Sequence, residues 1–370
     1  MIPFKKLINV ALITNVPAPY RIPVWRKVND STDINLTVIF CAQAQIDTKT
    51  APKDYGFKYH FLTGKFIDKG RQFIHADLNI WSKLNELKPD IIITVGYIPT
   101  YLFAFVWAKY HGIPHIAMTD GTAKSEKTLS WLHRLLRRIV LKHSTSFVGA
   151  CEGSLALFRQ YGAPEDRLYK SYLCADNSVY NQPASSDPVD FIFCGRFLSF
   201  KRPLFAMEVA LATAKLLNRK TSINFVGSGE LEAELRTYAK DIADFVDTRF
   251  LGYATQAELP FRYAEAKLFL FPTEGDVWGV VANEACASGL PVIVSPYAGV
   301  AGELIIDGNN GFIRELDVEQ WAEVASKLLS NNDLYHTFSE NSRTQVAEYS
   351  FDNSAKGLCN AILQAYELTQ

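Results

Sequence analysis

Two carboxylates bracket one short stretch of the chain. In "EGDVWGVVANEACASGLPVIVS", residues 274–295, Asp276 precedes an amphipathic run, Glu284 lies inside it, and a glycine and an apolar strand follow. Asp276 reads as a helix N-cap or as a ligand contact. Glu284 reads as part of a solvated helix face or as the second contact. Placed on one helix, eight residues at 1.5 Å rise separate the pair by about 12 Å. A glycosidase acid pair sits roughly 5 to 9.5 Å apart, which disfavours glycoside hydrolysis. A span of about 12 Å matches instead the distance from sugar to ribose in a nucleotide sugar. The diphosphate would then lie between them, at the positive end of the helix dipole. Carboxylates suit the hydroxyls at both ends, because each accepts two hydrogen bonds.

Cations that could meet such a diphosphate stand earlier. In "CGRFLSFKRPL", Arg196 and Lys201 follow an apolar strand, and Gly195 lets the backbone approach a ligand. Arginine offers a planar fork and lysine a point charge; the same residues would also make an ordinary solvated basic turn. Gly227 in "FVGSGE" ends another strand and permits close approach or a tight turn. In "YAGVAGELIIDGNNGF", Gly299 and Gly302 make turns, Glu303 stands near an expected helix start, and the N–H groups there could meet phosphate or sugar.

Short apolar runs alternate with helical patterns along the chain. The strands expected are "INVALIT", "LTVIFC", "YHFLT", "DIIITVG", "HIAMT" and "SFVGA", then "DFIFCG", "INFVGSG", "RFLG", "LFLFPT", "PVIVS" and "GFI". Continuous apolar runs suit strands buried on both faces of a parallel sheet. The βαβ alternation predicts an α/β protein with two Rossmann-like, doubly wound parallel-sheet domains facing a cleft. The expected domains are 1–183 and 188–350, divided in "NQPASSDPVD", with a C-terminal helix at 351–370 packing back on the N-terminal domain.

Length, 370 residues, suits two domains, and 48% apolar with 21% charged residues suits two buried cores. A net charge of -1 gives no polyanion-binding character, so nucleic acid is not an expected partner. The six cysteines form no CxxC and read as reduced thiols of a cytoplasmic protein. "MIPFKKLINVALITNV" reads as a first strand rather than a signal peptide. No run of about 18 apolar residues suggests a spanning helix.

Taken together, "GRFLSFK", "GSGE", "FLGYATQAELPFRYAEAKLFLFPTEGDVWGVVANEACASGLPVIVS" and "AGVAGELIIDGNNGF" resemble the C-terminal half of family 4 glycosyltransferases, which are retaining, GT-B-fold, nucleotide-sugar-dependent enzymes. The first domain resembles them more loosely, through "LITNVPAPYR", "MTDGTAKSE" and "YGAPEDRLYKSYLCADNSVY". The resemblance implies that Arg196 and Lys201, with Gly195, bind the donor diphosphate. It implies that Glu284 binds ribose, with Gly252, Tyr253 and Gly227 at the nucleotide. It places Asp276 at the first acid, which contacts the donor sugar, and Gly279, Gly299, Gly302 and Glu303 in the loop near sugar and phosphate. The donor implied is a UDP- or GDP-sugar, and no metal or other cofactor is expected.

The pattern departs from the family in three places. The acidic motif is D-x7-E, so Asp276 is one methylene shorter than usual and Glu274 competes for its role. Where many members carry a histidine after the strand "HIAMT", this chain has Asp120, which could serve a sugar hydroxyl or developing positive charge, or could be a plain turn residue. Nearby His115 reads as structural. The usual glycine-rich first loop is replaced by "NVPAPYR", in which Tyr20 and Arg21 are acceptor-side candidates; Arg21 would contact acceptor or phosphate, or equally be a surface arginine.

"KTLSWLHRLLRRIVLKH", residues 127–143, is basic and amphipathic and contains no acid. It would lie on an anionic membrane surface or pack on the sheet with a solvated basic face. The function expected is retaining glycosyl transfer to a glycan or lipid-linked acceptor in cell-surface polysaccharide, lipopolysaccharide or glycolipid synthesis, in the cytoplasm or peripherally at the membrane. A catalytically silent nucleotide-sugar-binding partner and a nucleotide-sugar epimerase or phosphorylase are the alternatives. A dinucleotide oxidoreductase is disfavoured, because no GxGxxG follows the first strand.

Overall fold

The structure is a computed structural model. It describes residues 7–42, 54–63, 66–68, 73–124, 126 and 129–369. The chain divides into two compact units, one of residues 1–173 with 351–370, the other of residues 174–350. The division falls ahead of the proline-containing 181–190 segment, which lies inside the second unit and runs directly into its first strand.

The strands of the first unit are β1 (Ile8–Thr14), β2 (Ile34–Phe40), β3 (Lys58–Phe61), a short ribbon of β4 (Phe66–Asp68) and β5 (Phe73–His75), β6 (Ile91–Val95), β7 (His115–Thr119), β8 (Ser146–Gly149) and β9 (Leu168–Lys170). Its helices are α1 (Ile22–Asn29), α2 (Asn79–Leu87), α3 (Pro99–Tyr110), α4 (Trp131–Lys142) and α5 (Glu152–Gln160). Seven strands form one parallel sheet in the order β3-β2-β1-β6-β7-β8-β9. β1 and β6 lie in its middle and are almost entirely apolar, as strands covered on both faces must be.

The second unit repeats the plan. Its strands are β10 (Val189–Cys194), β11 (Thr221–Val226), β12 (Val246–Gly252), β13 (Ala266–Phe271), β14 (Val292–Val294) and β15 (Gly311–Ile313). Its helices are α6 (Pro203–Leu217), α7 (Glu232–Asp241), α8 (Leu259–Ala264), α9 (Val280–Ala287), α10 (Val318–Ser330) and α11 (Asn332–Val346). The sheet is parallel in the order β12-β11-β10-β13-β14-β15. Its core is aromatic. Phe193, Phe197, Phe225 and Phe250 pack ring on ring, and Phe205 meets Trp321 edge to face at 5.2 Å between α6 and α10.

The last helix, α12 (Phe351–Glu367), belongs to the first unit and packs on α1, β8 and β9. Its apolar positions Ala355, Leu358 and Ile362 are buried, together with Ala361 and Ala365. Contact with β9 is so close that a side-chain carbon at Gly357 would lie 1.7 Å from the carbonyl oxygen of Lys170. Ser171 and Ser354 hydrogen-bond at 3.0 Å beside it. The fold is thus GT-B-type α/β: two units, each a parallel sheet with helices.

Candidate active site

In a parallel α/β sheet, ligands gather at the carboxyl ends of the strands. In the second unit, glycines occupy three adjacent strand ends. Gly195 follows β10 and donates its N–H to Val226 (2.9 Å), and Gly227 follows β11 and donates to Gly252 (2.7 Å). Gly227 has φ 133°, and a side-chain carbon there would stand 2.0 Å from the Gly195 carbonyl oxygen. Only glycine lets these two chains approach so closely. Tyr253, next to Gly252, is 76% exposed and presents its ring to solvent.

Arg196 leaves this edge exposed and makes no ion pair among the described residues. Lys201 ends a single 3-10 turn, Ser199–Lys201. Its ammonium pairs with Asp276 Oδ2 at 2.5 Å and lies over the rings of Phe200 and Phe271. Two residues assigned to different ends of a donor are therefore partners here. Glu274 is exposed and pairs with Arg202 at 3.2 Å, and its N–H is held by the Phe200 carbonyl.

Asp276 is not an N-cap, and the helix-rise distance does not apply to it. Helix α9 begins at Val280, with Gly279 at its cap position and φ 114°. Asp276 stands in the loop before it, bridged to Ala298, with Oδ1 accepting the Trp278 N–H at 3.3 Å. The periodic pattern ran through this break because Val277 and Trp278 continue it. Trp278 is buried, but its indole N–H is tied to Asn283 at 2.7 Å, which folds the loop back on α9.

Glu284 lies inside α9 and is buried, not on a solvated face. The Tyr263 hydroxyl donates to its Oε2 at 2.9 Å. Burial pushes its carboxyl up to about 7, against the opposing effect of the tyrosine hydroxyls. The Cys194 thiol is pushed up to about 12 by burial and by this carboxylate. Tyr180 is buried and packs edge to face on Tyr263 at 5.9 Å; burial and the Glu284 carboxylate push its phenol up, and its hydroxyl has no hydrogen-bond partner among the described residues. Tyr180 and Tyr263 were invisible to sequence reasoning: one lies in "NSVY" and the other in "FRYAEA", and neither carries a local signal.

The loop 295–310 holds no helix, so Glu303 does not stand at a helix start. The N–H groups of Gly299, Val300, Ala301 and Gly302 are donated to Asp276, Trp278, Ala298 and Ile305 carbonyls. The first two brace the Asp276 loop and the last two close turns within their own loop, so all four are spent inside the protein. By contrast, the first-turn N–H groups of Gly279, Val280 and Val281 have no partner among the described residues, as a helix N-terminus leaves them.

In the first unit, Arg21 is 4% exposed, so it is not a surface arginine. Its guanidinium donates to the Ser171 carbonyl at 2.9 Å, to the Tyr172 carbonyl at 3.3 Å, and to Asp120 Oδ1 at 2.5 Å. Asp120 follows β7 and its side chain keeps 30% exposure beside Arg21. Tyr20, 37% exposed, precedes Arg21. His115 is fully buried between Thr94 and Ser144, both at 2.9 Å, and burial pushes its imidazole down to about 3. It is a neutral structural group.

The basic segment folds as α4 from Trp131; Lys127 and Thr128 lie outside the described residues, as do 45–53 of "QIDTKTAPKDYG". Among the described residues, no group of His, Cys, Asp and Glu is arranged to hold a metal ion, and no helix is long and apolar enough to cross a membrane.

Glycine-lined strand ends, an arginine without an ion pair among the described residues and a buried acid on a helix all lie in the second unit of this GT-B-type fold. Residues 178–345, which lie within the second unit, match the family model described as glycosyl transferases group 1. Among curated relatives, the D-inositol 3-phosphate glycosyltransferase of Corynebacterium urealyticum is 28% identical over 48% of this chain and 42% of its own length. A glycogen synthase of Mycobacterium tuberculosis is 27% identical over 64% of this chain and 60% of its own. The chain spans less than two thirds of either relative. Among solved structures, Anabaena HepE in complex with UDP superposes with a TM-score of 0.76 at 15% identity, over 96% of this chain and 99% of that one.

Proposed function

We propose that this chain transfers a glycosyl unit from a UDP- or GDP-sugar to a glycan or lipid-linked acceptor, with retention of anomeric configuration, on the cytoplasmic side of cell-surface polysaccharide, lipopolysaccharide or glycolipid synthesis. The observation that carries the reading is the free Arg196 guanidinium beside three glycine strand ends, on the same sheet edge as the Lys201–Asp276 pair. HepE, which shares the fold, is bound to UDP in one structure and to UDP-glucose in another.

The reaction breaks the bond between the sugar and a diphosphate. Positive charge develops on the sugar and negative charge on the leaving diphosphate. Arg196 and Lys201 would stabilise the departing charge, together with the free N–H groups that open α9. As Lys201 turns to phosphate, Asp276 is released to face a sugar hydroxyl or the anomeric carbon. Glu284, with Tyr263 holding one oxygen, would take the ribose hydroxyls. Asp120, oriented by Arg21, is the first unit's candidate for the reacting sugar, with Tyr20 toward the acceptor.

A second reading has one observation in its favour: Asp276 and Asp120 are both neutralised by a cation here. A silent partner would bind the nucleotide sugar and never turn it over. Incubation with UDP- and GDP-sugars and a panel of glycan acceptors distinguishes the two. Transfer with an anomeric proton coupling that matches the donor supports the proposal. Tight donor binding with neither transfer nor slow hydrolysis would favour the silent partner.

A further inference from the structure

Arg21 carries a full charge inside the first unit, and a buried charge is costly unless it is paired and hydrogen-bonded. Its guanidinium is met on two sides. Nη1 donates to the Ser171 carbonyl at 2.9 Å, to the Tyr172 carbonyl at 3.3 Å and to Ser171 Oγ at 3.4 Å. Nη2 donates to Asp120 Oδ1. The first three acceptors belong to the chain just past β9, and α12 holds that chain too. Ser354, fully buried on α12, donates its hydroxyl to the Tyr172 carbonyl at 3.0 Å and meets Ser171 Oγ at 3.0 Å.

One arrangement of protons satisfies all of these bonds: Arg21 donates to Ser171, Ser171 to Ser354, and Ser354 to the Tyr172 carbonyl. Gly357, three residues on and so on the same helix face, packs against the Lys170 carbonyl too closely to admit a methyl group. Helix α12 therefore cannot shift without moving the chain that seats Arg21. At the other end, Arg21 fixes one oxygen of Asp120. Oδ2 makes no hydrogen bond among the described residues, and the side chain keeps 30% exposure just past the carboxyl end of β7. Such a carboxylate can accept from a ligand hydroxyl. A buried arginine–carboxylate pair is often no more stabilising than apolar packing of the same volume, which leaves orientation as the use of this network.

We propose that α12 belongs to the active apparatus of the first unit: Ser354 and Ser171 seat Arg21, and Arg21 aims Asp120 Oδ2 at a sugar hydroxyl. Asp120 alone touches substrate; Arg21, Ser171 and Ser354 are positioning residues that act through it. A carboxylate turned away by even 1 Å loses its hydrogen bond as the reacting groups close, and such misplacement costs rate, not nucleotide affinity. The inference rests on the part given to Asp120 in the glycosyl transfer above.

A double-mutant cycle on the transfer rate of the full chain tests it, with Ser354→Ala and Asp120→Asn. Ser354→Ala should lower kcat about tenfold and leave the UDP or GDP dissociation constant unchanged by titration calorimetry. In the Asp120→Asn background the same change should cost less than about twofold, because the group it aims is gone. Arg21→Lys keeps the charge but loses the fork, and should lower kcat about a hundredfold. Ile362→Val thins the packing of α12 away from the seat; it should lower the melting temperature and leave kcat alone. Donor hydrolysis without acceptor locates the hydroxyl: it falls with transfer if the hydroxyl is the donor's and holds if it is the acceptor's. Unaltered kcat in Ser354→Ala would overturn the proposal, as would a loss equally large in the Asp120→Asn background or in Ile362→Val. Full activity in Asp120→Asn, or a wild type without turnover, would instead remove the part given to Asp120, and this inference with it.

Discussion

Glu284 and Arg196 are opposite designs at one sheet edge, and their variants should behave oppositely. Glu284 has its carboxyl raised from 4.5 to about 7 by burial, so the folded chain holds a proton there that the unfolded chain has lost. The folded state binds more protons between those values, and stability falls as pH rises through that window. Glu284→Gln should therefore raise the melting temperature at pH 8, with roughly 3 kcal/mol as a ceiling, and leave it unchanged near pH 4. If Glu284 takes the ribose hydroxyls as proposed, the same change should weaken UDP or GDP binding about tenfold or more, because a charged acceptor is gone. Wild-type affinity should rise between pH 6 and 8, as the carboxylate forms. Melting curves and titration calorimetry across pH check all three; a destabilised variant at pH 8 would show that burial does not oppose the charge. Arg196→Ala, by contrast, should leave melting untouched, since the side chain is exposed and makes no ion pair among the described residues. It should weaken nucleotide diphosphates by about 10- to 100-fold, the worth of a charge-assisted contact.

At the scale of elements, the site depends on how strands end and where one helix begins. Gly227→Ala should cost about 2 kcal/mol or more, since φ 133° and the carbonyl of Gly195 leave no room for a methyl group. A chemical denaturation curve measures it directly. Much of this level was legible. The runs "HIAMT" and "GFI" coincide with β7 and β15, because buried parallel strands are apolar on both faces and stop at polar or glycine punctuation. β9 was not legible, because "LYK" is a half-buried edge strand with no periodic signal of its own. The start of α9 was misread, because Val277 and Trp278 carry the apolar pattern across a turn that only Gly279 and the Trp278–Asn283 bond reveal. The burial of Arg21, already a candidate from sequence, and the role of Tyr263 were beyond sequence for another reason: their partners lie 99 to 151 and 21 residues away, and nothing local records a long-range hydrogen bond.

The whole molecule consists of two units that the chain enters, leaves and re-enters. The C-terminal helix α12 completes the first unit by packing on β8 and β9, and its Leu358 and Ile362 are fully buried. Truncation after Ser350 should therefore damage the unit that ends at Leu173, not the one it directly follows. A truncated chain should show a lost or lowered unfolding transition while the second unit retains its own. Scanning calorimetry reads this, and an unchanged thermogram would contradict it. If the second unit holds a nucleotide diphosphate without a metal, as proposed, ligand-linked thermal stabilisation will report it. UDP, GDP, ADP and NAD would be added in turn, with and without EDTA, to the wild type and to Arg196→Ala. The expected result is a shift with one uridine or guanosine diphosphate, about 2.7 kcal/mol at 100 times its dissociation constant, insensitive to EDTA and largely lost in the variant. A shift with NAD alone, a shift that EDTA abolishes, or none with any nucleotide would contradict it.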